Sequence, residues 1–387
     1  MAISEAVERY RRFGAPQTHG RVADFEVAID ARWLHTGLGT YTYNVISRLK
    51  QFKPTWSVKA ITNRKSADQL APWCDKIRIL DTPIYTLREQ WQVACAARGA
   101  DLLHVPHYNI PLFHRGKLVV TIHDLIHLID DRKNVGTAAR TYASIMLNAA
   151  ARKADHIITV SQFSKTQIIE RLAVDPSKIS VIPNGVAPIF RPPNGAELDL
   201  GPGNTPEPYL LYVGNLKPHK NLMRLVSAFA IFRNRTKLDW KLLIVGPGGG
   251  NESKQLVLHG ADLGISDSLF FQKNVAHEVL PGLYRKSQFL ILPSLIEGFG
   301  LSVVEAMACG TPVVCSNAAS LPEVAEGAAR YFNPLDVEDI ASALEDVALS
   351  EELRTRLRHN GLKRVGQFSW DESARQHSEV FERVLQN

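Results

Sequence analysis

Two acidic side chains, Glu297 and Glu305, stand with seven residues between them in the segment 293–314. This segment predicts a strand, a loop that contains Gly298 and Gly300, a short helix and a second strand. Amides at the start of a helix are unpaired donors at the positive end of its dipole. The pattern suits an anionic or hydroxyl-rich ligand, although both glutamates also fit solvated carboxylates at a helix terminus.

Lys220 and His123 are single side chains that could act on phosphate and sugar groups. Lys220 lies in a loop after the predicted strand Tyr209–Val213, just before a helix, where a lysine can bind phosphate. His123 and Asp124 directly follow the predicted strand Leu118–Ile122. Ligands bind at the carboxyl ends of parallel strands, although a surface lysine and a structural histidine are the ordinary alternatives.

His107 and Tyr108 follow another predicted strand, Asp101–Val105. If the sheet is parallel, the carboxyl end of this strand meets the same edge as the strand before His123. We therefore expect His107 and Tyr108 to line the side of the site where an acceptor binds.

Short apolar segments alternate with amphipathic helices along most of the chain, which predicts parallel sheets with helices on both faces. The predicted strands are Phe25–Ile29, Val58–Ile61, Asp101–Val105, Leu118–Ile122, Ile157–Val160, Ile179–Ile182, Tyr209–Val213, Leu242–Val245, Leu269–Phe271, Phe289–Leu292 and Pro312–Cys315. Predicted helices include Thr40–Lys50, Asn221–Asn234 and Leu301–Cys309. The sequence Ser320-Leu-Pro-Glu323 predicts a capping box that opens a further helix.

The alternation is interrupted once, by a stretch that contains seven prolines and four glycines between Pro183 and Pro208. Such a composition supports neither a helix nor a central strand. We therefore predict two Rossmann-like doubly wound domains, 1–186 and 209–367, joined by a linker at 187–208. A hinge between two such α/β domains leaves a cleft that faces the carboxyl ends of both sheets.

The segment 293–314 closely resembles the donor signature of glycosyltransferase family 4. Further similarity lies in Val181-Ile-Pro-Asn-Gly-Val186, in the loop 212–222 and in the glycine loop Thr36-Gly-Leu-Gly-Thr40. These motifs cover most of residues 25–340. The resemblance implies the GT-B architecture, which is two facing Rossmann-like domains with a hinge cleft. It also implies that a C-terminal helix, 368–387, returns to the first domain.

The resemblance implies a role for each candidate in the donor domain. Glu305 would bind the ribose of a nucleotide, Glu297 would lie beside the transferred sugar, and Lys220 would neutralise the diphosphate. Backbone amides would hold the sugar hydroxyls and the distal phosphate, and these belong to Gly298, Phe299, Gly300 and Leu301. A fixed cation at the phosphates and a carboxylate near an oxocarbenium-like sugar both favour charge separation.

In the first domain, the resemblance makes His123 a contact to the donor sugar and Asp124 its neighbour or an acceptor contact. The sequence departs from the family pattern at Asn215, where many members carry an arginine that clamps the phosphates. Either Lys217 supplies that charge, or the phosphates depend more on amides and on the loop from Gly37 to Gly39.

The implied reaction is retaining hexosyl transfer from a nucleotide-diphosphate sugar to a glycan or a polyprenyl-diphosphate-linked acceptor. No cofactor or metal is expected, because Asp130-Asp131 is not the spaced DxD pair that metal-dependent sugar transferases use. The resemblance is strongest to bacterial mannosyltransferases of surface polysaccharide synthesis, so GDP-mannose is the first donor, ahead of dTDP-rhamnose and UDP-glucose. A sugar-nucleotide epimerase of GT-B shape and a non-catalytic nucleotide-sugar-binding protein are the alternatives.

Composition sets the remaining bounds. With 45% hydrophobic and 22% charged residues, the 387-residue chain is an ordinary globular protein with room for two domains. No apolar run reaches the roughly 18 residues of a membrane span, and residues 1–20 lack the apolar core of a signal peptide. We expect a cytoplasmic protein. Its net charge of +6 suits an anionic ligand or an anionic membrane surface contacted by Arg9–Arg12, whereas scattered cations argue against nucleic acid.

Overall fold

The computed structural model of the chain describes residues 23–34, 37–129, 137–193, 205–247 and 250–387. Its strands belong to two sheets. They are β1 (Glu26–Asp30), β2 (Ser57–Thr62), β3 (Lys76–Ile79), β4 (Leu102–Val105), β5 (Lys117–Thr121), β6 (His156–Thr159), β7 (Ile179–Val181), β8 (Tyr209–Val213), β9 (Lys241–Gly246), β10 (Leu269–Lys273), β11 (Leu290–Leu292), β12 (Val313–Ser316) and β13 (Ala329–Phe332).

Helices connect these strands on both faces of each sheet. They are α1 (Gly39–Phe52), α2 (Arg64–Leu70), α3 (Leu87–Ala96), α4 (Ile126–Ile129), α5 (Thr137–Lys153), α6 (Gln162–Leu172), α7 (Leu222–Thr236), α8 (Asn251–Asp262), α9 (Leu280–Lys286), α10 (Leu301–Ala308), α11 (Leu321–Ala325), α12 (Val337–Leu349), α13 (Glu351–Val365) and α14 (Trp370–Gln386). None of the helices in the described part of the chain is long and apolar enough to cross a membrane.

Both sheets have the doubly wound order. The first runs β3-β2-β1-β4-β5-β6-β7, the second runs β10-β9-β8-β11-β12-β13, and the strand pairs are parallel. The strand order therefore reverses between β1 and β4 in one sheet and between β8 and β11 in the other. Loops that follow these strands border the crevice where such folds bind ligands. The predicted α/β fold of two Rossmann-like domains is confirmed.

The central strands are apolar along their whole length because both of their faces are covered by helices. Tyr209, Leu210, Leu211 and Tyr212 of β8, for example, are completely buried. The last helix, α14, packs against α1 and places Phe381 in the hydrophobic core of the first sheet. The end of the chain is thus part of the first sheet's core.

The predicted strands are present, with ends shifted by at most two residues, but β3 and β13 were not predicted from the sequence. Both lie at the edge of a sheet. In β3, Lys76, Arg78 and Ile79 are exposed, so the segment lacks the apolar run that identifies a central strand. Parts of the predicted linker, at 194–204, and the basic segment Arg9–Arg12 lie outside the described residues.

The predicted capping box at the start of α11 is wrong. Ser320 has helical backbone angles and makes no side-chain cap, and its hydroxyl donates instead to the carbonyl oxygen of Glu297 at 3.0 Å. The Glu323 carboxylate accepts hydrogen bonds from the backbone of α6 in the other domain. Longer-range partners therefore replaced the local bonds that the spacing predicted.

Candidate functional site

Lys220 and Glu297 form the centre of the candidate site. They lie in the loops after β8 and β11, on the two sides of the order reversal in the second sheet. Lys220 Nζ is 2.5 Å from Glu297 Oε1, and the two side chains are only 12% and 10% exposed. The Ser294 hydroxyl donates to the same carboxylate oxygen at 2.7 Å. The fold thus brings together two of the three predicted catalytic residues as an ion pair.

Asn221 holds the Lys220 loop against the Glu297 loop. Pro218–Lys220 forms one 3-10 turn, and Asn221 then takes a left-handed conformation with φ 62°, which asparagine tolerates better than most residues. The side-chain amide of Asn221 donates to the carbonyl oxygens of Pro293 and Pro334 at 3.1 and 2.7 Å. These bonds fix the position from which the Lys220 side chain extends.

The loop from Glu297 into α10 depends on two glycines. A Cβ atom on Gly298 would lie 2.4 Å from the carbonyl oxygen of His123, so the two domains can approach this closely only at a glycine. Gly300 has φ 96°, which favours glycine, and it directly precedes α10. The amides of Phe299, Gly300 and Leu301 therefore stand at the positive end of the α10 dipole, beside Glu297.

Glu305 lies in α10, one turn further from the loop. The Tyr284 hydroxyl donates to Glu305 Oε2 at 2.8 Å. Burial raises the pKa of the Glu305 carboxyl to about 7, and the Tyr284 hydrogen bond opposes that rise. Near neutral pH this side chain is therefore divided between its acid form and its carboxylate form.

His123 contributes a neutral imidazole from the first domain. Its pKa is lowered to about 4 by burial, against a hydrogen bond to the carbonyl of Pro106. Nε2 is shielded from solvent and has no partner among the described residues, so the Pro106 bond uses Nδ1–H and leaves Nε2 as an acceptor. The ring meets Tyr41 edge-on at 4.6 Å. His123 is thus prepared to accept a hydrogen bond from a ligand hydroxyl.

Asp124 lies within electrostatic reach of the ion pair across the cleft. Its Oδ1 accepts a hydrogen bond from the Ile126 amide at 3.0 Å. Burial raises the pKa of the Asp124 carboxyl, Glu297 raises it further, and Lys220 lowers it. The structure therefore groups Asp124 with Lys220 and Glu297.

A buried chain of hydrogen bonds behind His123 was not predicted from the sequence. The Tyr41 hydroxyl is 2.5 Å from His377 Nε2 and 2.7 Å from Thr121 Oγ1. His104 Nε2 is 2.9 Å from the same Thr121 oxygen. Tyr41 lies in the predicted helix Thr40–Lys50 without a motif that marks it, and His377 has no motif around it. Leu301 packs on the apolar part of this cluster, which includes Tyr41.

His107 and Tyr108 belong to an aromatic cluster at the first sheet's order reversal. The His107 ring stacks on Trp33 with centroids 4.2 Å apart, and Nδ1 accepts from the Asn109 amide at 3.1 Å. Burial lowers the pKa of His107 to about 3, so its ring is neutral. The exposed Tyr85 ring lies edge-on to Trp33 at 5.7 Å. The cluster offers aromatic and uncharged polar groups beside the cleft.

The remaining predicted donor contacts lie in turns. A Cβ on Gly39 would be 1.8 Å from the Leu34 carbonyl oxygen, so this close approach requires glycine, whereas Gly37 is exposed. The Asn215 side-chain oxygen accepts from the Lys217 amide at 3.2 Å. Asn215 therefore shapes the turn after β8, and the Lys217 side chain is exposed.

Two family descriptions match consecutive parts of the chain. Residues 35–188 match "Glycosyltransferase Family 4", and residues 201–364 match "Glycosyl transferases group 1". Together the two matches include the loops after β1, β5, β8 and β11 that carry the candidate residues.

Curated relatives and solved structures agree with these matches. The chain is 28% identical to O-antigen chain mannosyltransferase B of Escherichia coli, covering 87% of this chain and 93% of that protein. It is 32% identical to MMP alpha-(1->4)-mannosyltransferase of Mycolicibacterium hassiacum, covering 74% and 69%. Sucrose-phosphate synthase from Thermosynechococcus elongatus has a similar fold, with TM-score 0.77, 23% identity, and coverage of 93% and 99%. Anabaena Alr3699/HepE, solved with UDP and glucose, gives TM-score 0.75, 19% identity, and coverage of 93% and 100%.

Proposed function

We propose that this chain, a glycosyltransferase that belongs to family 4 of these enzymes, transfers mannose from GDP-mannose to a glycan acceptor with retention of configuration. The observation that carries the proposal is the pairing of Lys220 with Glu297 at the order reversal of the second sheet. The mannose assignment rests on the relatives that are named mannosyltransferases.

In the proposed reaction, the bond between the anomeric carbon and the diphosphate oxygen breaks while the acceptor oxygen bonds to that carbon on the same face. The acceptor proton passes to the departing diphosphate. Lys220 and the amides at the start of α10 stabilise the negative charge of the diphosphate, and Glu297 stabilises the positive charge of the sugar. The neutral His123 accepts a hydrogen bond from a sugar hydroxyl. Because Lys220 supplies the cation, we propose that no metal is needed, which activity after dialysis against EDTA would check.

On the acceptor side, we propose that Asp124, His107 and Tyr108 bind a glycan or a polyprenyl-diphosphate-linked glycan. Sugar-binding sites combine apolar contact surface with a few placed polar groups. The aromatic cluster with Trp33 and the exposed Tyr85 has this composition. Asp124 interacts electrostatically both with Tyr108 of the cluster and with Lys220 and Glu297.

An anionic lipid surface is a further proposed partner, bound at the amino-end edge of the first sheet, opposite the edge that carries His107 and His123. A groove of about 690 Å³ in the first domain combines exposed apolar side chains with cations, and no carboxylate is among its lining residues. Trp91 and Phe113 are 59% and 63% exposed. The cations of the groove are Arg98, Arg115 and Lys153. Aromatic side chains at headgroup depth and cations near anionic lipids are the usual basis of such docking.

The affinity for a nucleoside diphosphate should depend on pH through Glu305. If the carboxylate accepts the ribose hydroxyls, binding requires the ionised form, whose pKa is about 7 in the free protein. Affinity should therefore fall about tenfold as pH drops from 8 to 6, the change in the ionised fraction of such a group. Calorimetry across this range measures the slope. Glu305→Gln is the matched control, because the phosphate groups of the ligand titrate equally with both proteins and only the Glu305 carboxyl is removed. An equal dependence of affinity on pH in the two proteins would contradict the role of Glu305.

The donor can be identified by thermal stabilisation. A ligand at 100 times its Kd stabilises the folded state by about 2.7 kcal/mol, which raises the melting temperature measurably. We expect GDP and GDP-mannose to raise it, and UDP, dTDP and guanosine to have little effect at equal concentration. Stabilisation by UDP or dTDP compounds without any from GDP would refute the mannose donor and leave the glycosyltransferase assignment intact.

Vesicle co-sedimentation tests the membrane partner. The protein should bind phosphatidylglycerol vesicles at low salt and dissociate from them at high salt. It should not bind phosphatidylcholine vesicles. The double variants Trp91→Ala/Phe113→Ala and Arg98→Glu/Arg115→Glu should each reduce binding at least about tenfold. Leu258→Ala, at a side chain of the second domain that is 65% exposed, is the control and should bind normally. Undiminished binding of both double variants would exclude this groove.

A further inference from the structure

Glu323 joins the two domains through the start of a helix. Its Oε1 accepts from the Gln162 amide at 2.7 Å, and its Oε2 accepts from the Phe163 amide at 3.1 Å. These are the first two residues of α6, whose third amide bonds to the Ser161 side chain. A carboxylate from the second domain thus satisfies two amides that the helix itself cannot, at the positive end of its dipole.

Both ends of this contact are bonded to the segments that carry the candidate site. Within the first domain, the Ser164 hydroxyl donates to the carbonyl oxygen of His123 at 3.0 Å. Within the second domain, Ser320 lies three residues before Glu323, and its hydroxyl donates to the carbonyl oxygen of Glu297 at 3.0 Å. The backbone of His123 is therefore connected to that of Glu297 through α6, Glu323 and α11.

We propose that Glu323 is a positioning residue that holds the cleft closed and sets His123 against Glu297 for transfer. This inference rests on the proposed function only for its kinetic consequence. Gly298 and His123 meet at a contact that has no room for a side chain, so a small separation of the domains changes the site directly. Because Glu323 touches neither candidate catalytic side chain in the described hydrogen bonds, it acts through the position of the domains.

The strength of the contact suits a reversible closure. Glu323 is exposed, and a capping side chain at an exposed position contributes only a small free energy to holding the domains together. Thermal motion can therefore break the contact. Substrate entry and product release require opening, whereas transfer requires both domains in place. Loss of the carboxylate should shift the balance toward the open form by about tenfold.

The test compares Glu323→Gln with Asp336→Asn. Asp336 caps α12 in the same way, with Oδ1 accepting from the amides of Glu338 and Asp339 at 2.9 and 3.3 Å, but inside one domain. The separation of the domains is measured by electron spin resonance between labels placed one on each domain. Transfer kinetics and nucleoside diphosphate affinity are measured on the same variants.

We expect Glu323→Gln to broaden the distance distribution and to lower kcat about tenfold, while the Kd for the nucleoside diphosphate changes less than about twofold. Asp336→Asn should leave the distance distribution unchanged. An unchanged distribution for Glu323→Gln, or an equal broadening in Asp336→Asn, would overturn the proposal. The distance measurement needs no substrate. If the distribution broadens in Glu323→Gln while the unmodified protein transfers no sugar, the positioning role is supported and the proposed function is refuted.

Discussion

The buried ion pair between Lys220 and Glu297 is the interaction on which the candidate site depends. Burying either charge alone would be costly, because neither could be hydrated, whereas together they satisfy each other. The fold meets this requirement by setting both residues at the carboxyl ends of adjacent strands, with Asn221 joining their loops and Ser294 bonding the carboxylate. Lys220, the cation that we propose binds the diphosphate, already has a partner in this structure. Under the proposed function, a diphosphate must therefore compete with Glu297 for Lys220.

The pair is complete within the second domain, but the site is not. The first domain adds a neutral histidine and a half-buried carboxylate after β5, and an aromatic cluster whose His107 and Tyr108 follow β4, a strand that borders the order reversal of the first sheet. His123 gains its acceptor character from its surroundings, because the Pro106 carbonyl fixes the proton on one nitrogen and burial keeps the ring neutral. The proposed function thus assigns nucleotide recognition and acceptor recognition to different domains, which meet where Gly298 approaches His123.

Strands and site residues could be predicted from the sequence where the residue types of a short segment determine them. Central strands such as β8 are apolar throughout, and Glu297 and Glu305, in and after the loop before α10, lie in a signature that is specific to a family. Edge strands such as β3 and β13 were missed because their outer faces carry polar residues. Ser320 and Glu323 have the spacing of a capping box, yet their partners are about 20 and 160 residues away in sequence, at Glu297 and Gln162. The sequence likewise contains no sign that Lys220 binds Glu297, since that bond requires the order of the folded strands.

The most direct test of the account is a double-mutant cycle on Lys220 and Glu297 in which calorimetry measures nucleoside diphosphate affinity. Glu297→Gln should free Lys220 and tighten binding while abolishing sugar transfer, and Lys220→Ala should weaken binding. The two effects should not add, with a coupling energy of about 1–3 kcal/mol, because Glu297→Gln can release a cation only where Lys220 is present. Additive changes, or unaltered affinity in Glu297→Gln, would contradict the claim that the diphosphate and Glu297 compete for the same lysine.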